Sequence, residues 1–176
     1  LLQCGYKLYT IAPRFTFLHH INGLEPIGPK VLTNIGHFLY ISFRQNQFIG
    51  RFFSTKLNLR LFNQQDEAFA FLRGLPLKKG KKQFYYIHLD LPHAPFILNA
   101  DGTFYDDQNS IVWGENEVGA SAYTKEAYQM GYCKQLQALN GKLLDCIKNI
   151  VQKDPDATII LQGDHGTFTT VDAEEH

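Results

Sequence analysis

LQALNGKLLDCIKNIVQKDPDATIILQGDHG, Leu136 to Gly166, joins two segments of different period. In its first half Leu136, Leu139, Leu143, Ile147 and Ile150 step by three or four, which places them on one face of a helix, and Leu144 and Val151 widen the stripe. The pattern predicts a helix from about Ala122 to Lys153, stopped by Asp154-Pro155, because the residue before a proline is pushed out of the helical region. Gly131 and Gly141 lower its propensity a little. In the second half, Ala157 to Leu161 is a short β-branched and apolar run, the pattern of a buried strand.

Upstream, QFYYIHLDL (Gln83 to Leu91) is nearly continuous in Phe, Tyr, Ile and Leu, as expected of a strand covered on both faces. Strand, long helix and strand make a βαβ unit, so the predicted class is α/β with a mostly parallel sheet flanked by helices. GYKLYTI, Gly5 to Ile11, reads as a further short strand, and Asn22-Gly23, Pro26, Gly28 and Pro29 mark turns. Val31 to Arg44 is a weak helical candidate, and EAFAFLRG is a short helix closed by Gly74 and Pro76. Residues 99 to 120, around Trp113, read as a long excursion of the kind used for lids and binding loops.

The length, 176 residues, suits one domain with one core. Lys+Arg and Asp+Glu both number 17, and this zero net charge argues against a nucleic-acid binder working through phosphate neutralisation. The one basic run, Lys78-Lys79-Gly80-Lys81-Lys82, reads as a solvated loop. Cys4, Cys133 and Cys146 show no zinc-like spacing and read as buried thiols. No apolar run approaches the ~18 residues that would span a bilayer. The chain opens on Leu1 and stops at Glu174-Glu175-His176, which suggests a segment of something longer.

In open α/β sheets ligands bind beyond the carboxyl ends of the strands, and QGDHG lies at such an end. Neighbouring side chains in an extended strand point to opposite faces. Gly163 and Gly166 permit backbone angles that let Asp164 and His165 converge. A carboxylate and an imidazole suit Zn, Mn or another divalent ion held with further carboxylates. Taken alone, the pair reads more readily as a turn-capping Asp beside a packed His; the strand end, the two glycines and the long preceding helix turn the reading toward a metal. LPHAPF, Leu91 to Phe96, ends the other strand, and its two prolines place His93 on a stiff extended segment. Such an imidazole, with a reference pKa of about 6.5, can hydrogen-bond a phosphate or sulfate oxygen or protonate a leaving alkoxide. The bland alternative is a surface histidine in a proline-rich turn. His88 lies within its strand and reads as a satisfied, partly buried histidine. GxSxG, Walker A, HExxH and GxGxxG motifs are all missing from the sequence.

FYYIHLDLPHAPFILNADGTF followed by YCKQLQALNGKLLDCIKNIVQKDPDATIILQGDHG resembles the sulfatase-like branch of the alkaline phosphatase superfamily. The likeness is greatest to membrane-anchored hydrolase/transferases related to lipoteichoic acid synthases and phosphoethanolamine transferases. It covers residues 83 to 166, about half the chain. The resemblance implies that Asp164 and His165 are ligands of a divalent ion (Zn, Mn, Mg or Ca) and that His93 contacts the phosphate or sulfate ester of the substrate. His88 stands where this branch often carries a histidine, as a weaker substrate-binding candidate. Family chemistry is attack by a Ser, Thr or modified Cys assisted by metal, with a covalent phospho- or sulfo-enzyme resolved by water or by a sugar or lipid hydroxyl.

In the family the nucleophile and first metal-binding acid precede the unit resembled by Leu1 to Ile11. Ser42, Ser54, Thr55 and Ser121 lack the nucleophile's context. The expectation is therefore an incomplete domain, the C-terminal part of a catalytic domain, carrying no nucleophile and inactive alone. By the same resemblance the parent is anchored in the inner membrane by upstream segments, with this domain outside the cytoplasm. A second reading is a non-catalytic module of the same fold that binds anionic glycans or lipids. A third is a doubly wound domain whose GDHG is structural.

Overall fold

A computed structural model describes residues 1–11, 23–27, 47–106 and 124–163. Among the described residues three strands form one sheet: β1 (Lys7–Ile11), β2 (Leu24–Pro26) and β3 (Gln83–Ile87). β1 lies between the other two and pairs parallel with both. The helices are α1 (Gln47–Arg73) and α2 (Lys125–Lys153). A small parallel sheet with two helices is an α/β arrangement, as the strand and helix periods predict.

The register sets Tyr9 beside Tyr85 and Ile11 beside Ile87, so by the two-residue period these four share a face. It is the face turned to the core: Ile11 is buried, Tyr85 and Ile87 pack against the cluster, and the two tyrosine rings stack at 4.9 Å. Phe84 and Tyr86 alternate to the other side and are 40% and 43% exposed. On that face β3 is therefore partly open to solvent, not covered as expected. Aromatic residues favour strands on either face, so an unbroken aromatic run does not report how many faces are covered.

β2 falls inside the stretch read as turns. Pro26 is tolerated there because β2 is an edge strand, and the ladder is continued by the Ile27 N–H donating to Thr10 O at 3.0 Å. α1 is far longer than the EAFAFLRG segment, which forms only its last turns. Mixed aromatic and polar residues upstream blur the period, and Gly74 and Pro76 follow the helix as the sequence indicates. α2 starts within three residues of the expected point. Thr124 caps it by accepting from Ala127 N–H at 3.2 Å.

The two helices run side by side in the same direction. Asp66 meets Lys142 at 2.9 Å, Phe69 O lies 3.8 Å from Cys146 Sγ, and Lys153 Nζ donates to Arg73 O at 3.2 Å. Between them sits a core of Phe69, Leu72, Ala138 and Leu139, joined by Leu91, Ile97 and Leu98 from the segment after β3. Leu144 and Val151, expected to widen the apolar stripe, face outward at 52% and 44% exposure.

One expectation fails outright. Thr158 to Leu161 joins no ladder among the described residues, and Ile159, Ile160 and Leu161 are 40%, 82% and 65% exposed. Among the described residues only the first strand and the helix of the predicted βαβ unit are present. β-propensity is local, but a strand exists only where a partner supplies the ladder. The helical candidate Val31 to Arg44 lies outside the described residues, as do positions 107–123. Residues 99–106 form a tight turn: Gly102 N–H donates to Asn99 O and Asn99 N–H to Thr103 O, both at 2.9 Å, with Gly102 at φ 83°. The lysine run is exposed, as expected.

Candidate functional site

Because all three strands are parallel, their carboxyl ends share one edge of the sheet. β3 leaves that edge at Ile87, and His88 N–H extends the ladder by donating to Ile11 O at 2.8 Å. The chain then reverses, with His93 N–H donating to Asp90 O at 2.9 Å. His93 therefore sits in a compact turn, not on the extended segment the two prolines suggest. The Leu91-Pro92 and Ala94-Pro95 bonds are both cis. What gathers the turn is a contact from elsewhere in the chain.

That contact is Gln135 of α2, wholly buried at 0% exposure. Its amide nitrogen donates to Pro92 O at 3.2 Å, His93 O at 2.8 Å and Pro95 O at 3.3 Å. Its Oε1 accepts from Ile97 N–H at 2.8 Å. Phe96 docks the same turn one step further along, with its ring lying over Gly131 and edge-on to Tyr128 at 5.0 Å. Tyr128, Gly131 and Gln135 are spaced by three and four, so a single stripe of α2 receives the whole Pro92–Ile97 segment.

Within the turn, His93 is exposed and its Nδ1 lies 2.6 Å from Ala94 O. A carbonyl oxygen only accepts, so Nδ1 carries the proton. In the neutral ring Nε2 then holds the lone pair; in the imidazolium both nitrogens donate. Beside the ring, Asp90, His93 and Pro95 face Leu61 and Gln65 of α1 across a crevice with about 10 Å³ of space, enough for one water. Asp90 Oδ2 and Gln65 Oε1 are both buried at this crevice.

Of the residues singled out from sequence, His93 is held at the carboxyl edge. His88 is half-buried, belongs to the ladder, and does not line the crevice. Asp164 and His165 lie outside the described residues. Among the described residues no group of three or more His, Cys, Asp or Glu converges to hold an ion. Thr55, one of the hydroxyls without a nucleophile's context, donates to Asp106 Oδ2 at 2.6 Å, and Asn58 Nδ2 donates to Oδ1 at 3.1 Å. Gln135 carried no sequence signal as a site. A glutamine among leucines at helical spacing reads as the helix's solvent side. No protein-family model, no curated protein and no solved structure matches the chain.

Proposed function

We propose that this chain is part of a metal-dependent hydrolase or transferase acting on phosphate or sulfate esters of lipids or glycans, built on an alkaline phosphatase/sulfatase-like fold. Asp164 and His165 are its divalent-ion ligands, and His93 meets the ester's anionic group. The nucleophile and the first metal-binding acid are supplied by residues outside this chain, and the parent is membrane-anchored with this domain extracytoplasmic. The supporting observation is His93 itself: an exposed imidazole, with Nδ1 engaged, on a turn fastened by a buried amide at the carboxyl edge of a parallel sheet. No helix of the described residues is long and apolar enough to cross a membrane.

The tautomer defines what His93 does. With Nδ1 committed to Ala94 O, an ester oxygen receives a hydrogen bond from Nε2 only when the ring is an imidazolium. The neutral ring instead presents a lone pair, suited to accepting a proton. The test is turnover of a phosphate and a sulfate monoester by the intact protein with a divalent ion present. His93→Ala should cost on the order of 10²-fold or more in kcat/KM. Turnover unchanged by the substitution, or anion binding without metal and without turnover, contradicts the proposal.

A further inference from the structure

We infer that Gln135 is the positioning residue of His93, setting the tautomer of its ring; the inference rests on the role proposed for His93. A primary amide buried on a helix face beside Ala138 and Leu139 is costly unless its hydrogen-bonding groups are satisfied. Here every partner belongs to one short segment. The three carbonyls it gathers, of Pro92, His93 and Pro95, bracket the histidine on both sides, and the fourth bond reaches Ile97.

The side-chain chemistry is specific to glutamine. Asn is one methylene shorter, an ionised Glu has no proton to donate, and Lys and Arg cannot accept from Ile97 N–H. With the carbonyls of Pro92 and His93 held, the backbone on either side of the ring is fixed, and Nδ1 falls on Ala94 O. That bond forces the Nδ1–H form. Side-chain imidazoles in water favour the opposite, Nε2–H form. The Phe96 ring over Gly131 and against Tyr128 is a separate anchor, so the turn stays docked on α2 when the amide is removed.

The experiment is nitrogen NMR on the intact protein with labelled histidine, His93→Ala supplying the assignment, beside ester turnover. In the unmodified protein at alkaline pH, His93 should be the Nδ1–H tautomer. Gln135→Met conserves volume and removes all four bonds; Gln135→Glu keeps the acceptor for Ile97 and loses the donors. Both should return His93 to the Nε2–H form, which removes the lone pair that the neutral ring offers for accepting a proton, and so lower kcat about tenfold or more, with KM changed less. If the Met variant does not fold, the native tautomer and the Glu variant decide the matter. An Nε2–H tautomer in the unmodified protein overturns the inference, as does a folded variant with tautomer and turnover unchanged. If the unmodified protein turns over neither ester, the functional reading fails, while the tautomer result still decides the part played by Gln135.

Discussion

At Gly131 a Cβ would run into the Phe96 ring, whereas at Gly141, ten residues along the same helix, it would meet nothing within 4 Å. The two glycines look alike in sequence, each costing α2 about 1 kcal/mol relative to alanine. Only one has a packing reason. Gly131→Ala should therefore destabilise by about 1–2 kcal/mol, because overpacking outweighs the gain in propensity. Gly141→Ala should stabilise by about 0.5–1 kcal/mol. Urea midpoints at constant m-value measure both, and shifts of equal sign would contradict the packing. A similar contrast holds at Asp101, whose Oδ1 accepts from Thr103 Oγ1 at 2.6 Å and Thr103 N at 2.9 Å. These bonds hold its carboxyl below the usual range. The folded state thus binds that proton less readily, so the contribution is present above the unfolded value and is lost as pH falls through the lowered one. The Thr103 amide resonance should titrate with a midpoint below the ~3.9 of a free Asp. A midpoint at or above that value contradicts the bonding.

Among the elements, α2 was the most legible, since five apolar residues at helical spacing and a following Asp154-Pro155 define it almost to the residue. What the stripe concealed was Gln135, because periodicity marks apolar positions and says nothing of a polar one satisfied by a distant turn. β2 and most of α1 were illegible for the opposite reason: breakers and mixed residues obscure elements held by pairing and packing. Thr158 to Leu161 had every local mark of a strand and forms none in the described residues. The thiols divide in the same way. Burial against α1 pushes the Cys146 thiol up, while Cys4 and Cys133 are exposed, against the expectation that all three are buried. Thiol titration of the native protein should show two fast groups and a third that reacts only on unfolding. Three equally fast thiols would mean that α1 and α2 do not pack as described.

For the whole molecule, the α/β class and the placing of LPHAPF beyond a strand end followed from sequence, because parallel connections constrain topology strongly. The shape of the site did not follow. The turn around His93 is built by a residue 42 positions away, and no local rule reports such a contact. The functional proposal stands or falls on whether Asp164 and His165 hold a divalent ion that His93 serves. Calorimetric titration of the metal-stripped intact protein with Zn and Mn, against Asp164→Ala and His165→Ala, decides it. Stoichiometric binding by the unmodified protein is expected, with loss of that binding in each variant and folding retained. Undiminished binding in Asp164→Ala, or none in the unmodified protein, would contradict the proposal.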